Sequence, residues 1–279
     1  MIGRLGLVAV VAIAVGSLVT AGLLKKNLQS LPRYQVDPHT ISGEFPGDSW
    51  IDDQFVNSLE EYGFVGLERR SVFYPDLLDD YGRAVAANPW VRRVVRSERQ
   101  HPSQVSLVIE LREPSAGVRH EGGMLLVDRD GVRLPGEHDE LPAGLTSLLI
   151  INGVSTPPPA GGELWRTDAI PMAFATHDLL VAAGVPDRLG IHEISVAYDP
   201  LFADTMVTLV AGVDRTRIEW GKSPLNRDSV EVSDDHKLAN LEKLLDFNPG
   251  LVGLYEVSVA GSVPSYRTLR ARGEEITRK

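Results

Sequence analysis

The sequence predicts an α+β protein: a single N-terminal transmembrane helix, a small β-α-α-β-β domain, and a mixed α/β domain that ends in a C-terminal strand. Three observations carry this expectation. Residues 5–24 hold no charge, and about 20 residues of helix span about 30 Å, the thickness of a bilayer core. Residues 88–114 read as strand, turn and strand behind an amphipathic helix. Beyond them, strand patterns alternate with two more helical patterns up to a last strand at 253–260.

The first element is the apolar run, closed by Arg4 on one side and Lys25-Lys26 on the other. Its length and flanking lysines favour an uncleaved anchor; Val19-Thr20-Ala21 leaves a signal-peptide site as the alternative. Lys25, Lys26 and Arg33 outnumber the basic groups before the run, so a positive-inside count nominally places the rest of the chain in the cytoplasm. From residue 25 onward, 27 Lys plus Arg stand against 38 Asp plus Glu, a poor match to nucleic acid phosphates. Cysteine is absent, which excludes disulfides, thiolate metal sites and cysteine nucleophiles.

Residues 35–41 are the natural first strand, and 52–61 read as a short helix with Phe55, Val56 and Leu59 on one side. The stretch Gly43-Glu44-Phe45-Pro46-Gly47 between them is insertion-like. Residues 75–87 form a second helix, with Pro75 at its start and Leu78, Tyr81 and Val85 in an apolar stripe. Asn88-Pro89 stops it. Residues 91–98 and 104–112 are then the two strands of a hairpin around His101-Pro102-Ser103. Strict alternation places Val105, Leu107, Ile109 and Leu111 on one face, and Ser106, Glu110 and Arg112 on the other.

Later strands are expected at 118–119, 124–127, 132–134, 148–151, 191–198, 205–211 and 216–220. A helix at 168–183 carries Ile170, Phe174 and Val181 on one side and stops at Gly184. Ser233-Asp234-Asp235 caps another, striped by Leu238, Leu241 and Leu245 and ended by Asn248-Pro249-Gly250. Asp128-Arg129-Asp130-Gly131 is the one stretch with a metal-like spacing. Leu126 occupies the place where a calcium loop needs its first carboxylate, so the residues read as a turn. Pro157-Pro158-Pro159 marks an exposed loop.

Pro89-Trp90-Val91, the arginine-bearing strand after it, the proline turn and Ile109-Glu110-Leu111-Arg112-Glu113-Pro114 resemble the POTRA domain of the bacterial cell-division family FtsQ/DivIB. Ile218-Glu219-Trp220-Gly221, the helix from Lys237-Leu238 and the terminal strand are similar to the β domain that follows POTRA in that family. Leu111 stands where threonine or valine is common, and Tyr255-Glu256-Val257-Ser258-Val259 replaces the frequent Ile-Asp-Leu-Arg. The resemblance implies a short cytoplasmic tail at 1–4, the anchor at 5–24, POTRA at 25–116, the β domain at 117–260 and a charged tail at 261–279. It reverses the topology of the positive-inside count: the body would lie outside the cytoplasm, anchored in the bacterial inner membrane at the division septum. The implied function is a divisome scaffold, not an enzyme, with no cofactor, metal or small-molecule substrate.

Its expected partners are other division membrane proteins of the small coiled-coil kind, bound by strand addition. The terminal strand is the expected docking edge, because no later strand is evident in the sequence to cover it; the site residues are Tyr255, Val257, Ser258 and Val259. An internal strand paired on both sides is the alternative. No His-Glu-x-x-His, Gly-x-Ser-x-Gly or phosphate-binding glycine loop is present, and the seven histidines are scattered. Arg92, Arg93, Arg96 and Arg99 form the one basic cluster, which a solvated face explains; lipid headgroups or an acidic partner are the other readings. Two rival functions remain: an envelope protein for translocation or assembly, since POTRA modules also precede transport barrels, and a secreted enzyme with an unfamiliar site. The residues after Pro114, with two amphipathic helices and a proline loop, do not supply a barrel of alternating strands.

Overall fold

The structure is a computed structural model that describes residues 2–37, 42–44, 68–212, 214–227 and 231–268. The chain divides into two compact units, Met1–Arg112 and Glu113–Lys279. The boundary therefore falls a few residues before the expected end of the first domain at 116.

In the first unit, helix α1 covers Ile2–Ser30. It contains the expected 5–24 run, but among the described residues no helix is long and apolar enough to cross a membrane. The transmembrane expectation is corrected accordingly. Helix α1 also runs on past that stretch, through Lys25, Lys26, Asn27 and Gln29.

The first strand also differs from expectation. Among the described residues, Gln35–Val36 (β1) forms at the predicted place, and it pairs with Arg70–Ser71 (β3). The strand that joins the main sheet of this unit is Ser42–Glu44 (β2), parallel to Gln104–Leu111 (β5), and it overlaps the start of the stretch that reads as insertion-like. Glycine and glutamate give that stretch no strand pattern, so its partner rather than its own residues defines it. The helix expected at 52–61 lies outside the described residues.

The rest of the unit follows the sequence. Helix α2, Leu77–Ala86, buries Leu77, Tyr81 and Val85 at four-residue steps, so Leu77 rather than Leu78 heads the stripe. Strand β4, Val91–Gln100, pairs antiparallel with β5, and the sheet order is β2-β5-β4. Val105, Leu107, Ile109 and Leu111 are buried, Ser106 and Glu110 are not, and Trp90, immediately before β4, is buried as well. Leu107→Ala is expected to destabilise this unit by about 2–5 kcal/mol, as the loss of a buried leucine does, whereas Ser106→Ala leaves it nearly unchanged. Urea unfolding of the two variants measures the difference, and equal effects would mean that the faces are assigned wrongly.

The second unit is built on one eight-stranded mixed sheet. Its strands are Ala116–His120 (β6), Gly123–Val127 (β7), Leu149–Asn152 (β8), Glu193–Asp199 (β9), Asp204–Ala211 (β10), Thr216–Gly221 (β11), Leu254–Ser258 (β12) and Ser265–Thr268 (β13). Their spatial order is β13-β12-β11-β10-β9-β8-β6-β7. Strands β6, β8 and β9 run parallel, as do β11 and β12, while β9-β10-β11 form an antiparallel meander. A parallel neighbour requires a crossover, which helices supply for β8–β9 and β11–β12, while β7 and the chain after it connect β6 to β8. Helices α3 (Ala169–Ala182) and α4 (Val185–Leu189) lead from β8 to β9, and α5 (Asp234–Phe247) leads from β11 to β12.

Alternate residues of the strands make the core: Ile194, Val196, Leu209, Ile218, Trp220 and Val257 pack with Phe174, Leu180, Leu241 and Leu245 of α3 and α5. Val181, expected on the buried side of α3, is 52% exposed; Thr176 and Leu180 occupy that side instead. The expected strand at 132–134 makes only isolated bridges, Val127 with Arg133 and Val132 with Leu164.

Candidate functional site: the C-terminal edge of the sheet

The expected docking strand is not an edge. β12 pairs in parallel with β11 through Arg217–Glu256, Ile218–Val257 and Glu219–Ser258, and antiparallel with β13 through Val257–Tyr266 and Ser258–Ser265. Val257 and Val259 have no exposed surface and belong to the core; Ser258 is half-buried, and Tyr255 lies within the paired strand. Of the four expected site residues, Val257 and Val259 therefore hold the fold rather than a partner. The cause is a chain reversal at Gly261-Ser262-Val263-Pro264, which returns Ser265-Tyr266-Arg267-Thr268 alongside β12. One apolar side chain in four residues gives no alternation, so β13 has no signature in the sequence.

Among the described residues, the outer side of β13 carries no further strand. The opposite end of the sheet is different: β7 is bridged by Arg133 and His138, and the Met124 N–H donates to the His138 carbonyl at 2.6 Å. The candidate site is therefore the β13 edge. Tyr266 stacks on Phe247 at the end of α5, with ring centroids 5.9 Å apart and planes 28° from parallel, which orients the strand. Exposed Val263 lies just before β13, and exposed Phe247 and Val252 lie before β12.

Polar groups of α5 fix the chain that follows β12 and the end of β11. Asn240 is fully buried, and its amide donates to the carbonyls of Val259, at 3.2 Å, and Gly261, at 2.9 Å. His236 Nε2 lies 3.0 Å from the Ser262 carbonyl. One turn away, Lys237 is 0% exposed; its ammonium lies 2.8 Å from Glu231 Oε1 and donates to the Lys222 carbonyl at 2.9 Å. It also sits 5.5 Å from the Trp220 ring centroid. Glu231 Oε1 accepts the Lys222 N–H at 2.7 Å as well, so one carboxylate joins the end of β11 to α5. The Lys222 ammonium pairs in turn with Asp204, and this bond holds the Asp204 carboxyl below its ordinary range. The stability that Asp204 adds is present above about pH 3.8 and is lost as pH falls through the lowered value.

Gly221 is required by this arrangement. Its φ is +88°, and a Cβ there would stand 2.2 Å from Glu231 Oε1 and 3.1 Å from the Ala260 side chain. Gly221→Ala is expected to cost about 1–3 kcal/mol, from the left-handed backbone and the displaced carboxylate. A thermal melt of the variant tests this; no shift in Tm would mean that Glu231 is free to move away.

Lys237 and Asn240 were legible only as part of the helix. They sit four residues and one residue before Leu241, at core spacing, where a hydrophobic stripe leaves polar residues out of the count. The other chemical candidates resolve into structure. Asp128 accepts the N–H groups of Asp130 at 3.0 Å and Val132 at 2.9 Å, which makes it a turn-forming residue around Gly131. No group of three or more His, Asp or Glu among the described residues could hold a metal ion. Half-buried His177 is lowered in pKa, chiefly by burial. A groove of about 620 Å³ crosses the sheet between Phe202 and Ser258, with Thr208, Arg217 and Glu219 among its lining residues. No protein-family model matches the chain, and no curated protein matches it.

Proposed function

We propose that the protein is a non-catalytic scaffold of the bacterial division machinery, similar in kind to FtsQ/DivIB, that holds a partner's strand on the edge of its C-terminal sheet. The observation that carries this reading is the position of β13, a strand with no neighbour on its outer side among the described residues, anchored on the other by β12 and by the Phe247–Tyr266 stack. Such an edge offers backbone donors and acceptors to an added strand. The order helix α2, β4-β5 hairpin and mixed sheet also agrees with the POTRA and β-domain succession that the sequence resembles. Binding, rather than chemistry, is what a free edge supports.

A fluorescent fusion imaged in dividing cells tests the reading. A band at midcell is the expected result; a uniform envelope or cytoplasmic signal would overturn the division role. Co-purification from the same cells tests the edge, with Tyr266→Pro expected to remove strand-adding partners while the protein remains folded.

A further inference from the structure

The four arginines of β4 are not absorbed by the β13 reading, and their place in the fold gives them a second role. β4 has 10 residues, the longest strand described, and spans roughly 33 Å. Among the described residues it pairs with β5 alone, so one whole side of it faces away from the sheet. Folded proteins keep edges short or twist them with bulges, because a long regular edge recruits other strands. The bulges of β4 lie between Val91 and Arg93 and between Val94 and Arg96, and from Arg96 to Gln100 the ladder with β5 is regular. The protection therefore covers the first half and leaves the second half open.

We propose that the outer side of β4 takes an acidic, extended segment of a partner protein as an added strand. Charge selects this occupant. Arg92, Arg93, Arg96 and Arg99 stand against Glu98 in β4 and Glu110 in β5, with Arg99 also donating to the Tyr74 and Pro75 carbonyls, so within a chain of net charge −10 an acidic segment is attracted to this net positive strand. The Arg93 and Arg96 side chains are 68% and 65% exposed, so carboxylates of an added strand can reach them. Their present partners are surface ones: Arg93 pairs with Glu110 at 2.6 Å and Arg96 with Glu98 at 3.2 Å. Pairs of that kind contribute about 0–1 kcal/mol and exchange readily for a bidentate carboxylate. Val95, 54% exposed between them, adds an apolar contact. A lipid surface is the weaker fit, because a flat anionic bilayer gains nothing from the strand edge of β4 and meets acidic groups of the same chain. The surface lies in the first unit and is independent of the β13 reading.

The test uses the full chain and a fluorescein-labelled peptide of ten residues in which glutamate alternates with valine and threonine. Fluorescence anisotropy is expected to show saturable binding, and amide hydrogen exchange to slow across Arg96–Gln100. Arg96→Glu combined with Arg93→Gln is expected to weaken binding by at least about tenfold. The same peptide with every backbone amide N-methylated is expected not to bind, since neither of its edges can donate to a ladder. Equal binding of the methylated peptide, slowed exchange at β13 instead of β4, or no saturable binding would each overturn the proposal. Arginine-dependent binding to phosphatidylglycerol vesicles without binding to the peptide would assign the surface to lipid and also overturn it. The peptide comparisons stand even if the double variant does not fold.

Discussion

Lys237→Ala is expected to destabilise the second unit by about 3–5 kcal/mol, the largest effect of any single side chain outside the apolar core. The ammonium has no exposed surface and holds the Glu231 carboxylate at 2.8 Å and the Lys222 carbonyl at 2.9 Å. Removing it takes the ammonium 2.8 Å away from the Glu231 carboxylate, whose side chain is only 12% exposed. The loss reaches β11 and β12 together, because Glu231 is tied to the Lys222 N–H at the end of β11 and the neighbouring Asn240 clamps the chain beyond β12. Urea unfolding of the full chain measures it. Lys237→Met with Glu231→Gln separates charge from packing: methionine keeps most of the stem against Trp220 and the amide carries no charge, so the double variant is expected to recover much of the loss. A single variant as stable as the parent would show that Glu231 reaches water and that the pair is not a buried one.

Val257→Pro is expected to unfold the second unit or to lower its Tm sharply. Proline removes a backbone donor, and inside a sheet no position of β12 has a side on which that donor is idle. Val257 is matched with Ile218 on one side and Tyr266 on the other, and its side chain has no exposed surface. An unmet buried partner costs about 1–3 kcal/mol, and the loss of packing in the core adds to it. Tyr266→Pro, one strand out, is expected to be much milder, because a donor on the outer side of β13 meets no strand among the described residues. Circular dichroism melts of the two variants decide which strand is the edge: equal, mild effects would return the edge to β12, and equal, severe effects would mean that β13 too is covered.

The pair of variants also marks the limit of reading this chain from its residues. The terminal strand was visible because Leu254, Val257 and Val259 are apolar and follow a helix closed by Asn248-Pro249-Gly250. Its neighbour was not visible, since Ser265-Tyr266-Arg267-Thr268 has the composition of a tail and becomes a strand only against β12. The same holds for β2, whose Ser42-Gly43-Glu44 is a strand only beside β5. The apolar run near the N-terminus shows the opposite error. Freedom from charge is easily counted, and it overstated what α1 is, since among the described residues no helix meets the length and apolarity of a membrane span.

By itself, the sequence determined the elements whose burial follows a period: α2 with Tyr81 and Val85, the Val105-Leu107-Ile109-Leu111 face of β5, the β9-β10-β11 meander and α5. In each, the solvent-facing and core-facing residues repeat at the spacing of the backbone, so local pattern and global packing agree. The tertiary structure alone decided which strands lie at the edges and which polar groups lie inside. Edge status depends on a neighbour that sequence order does not specify, and a buried lysine such as Lys237 is tolerated only where a carboxylate outside its helix and a carbonyl at the end of a strand converge on it. Both depend on contacts made outside the element itself, which a local period cannot encode.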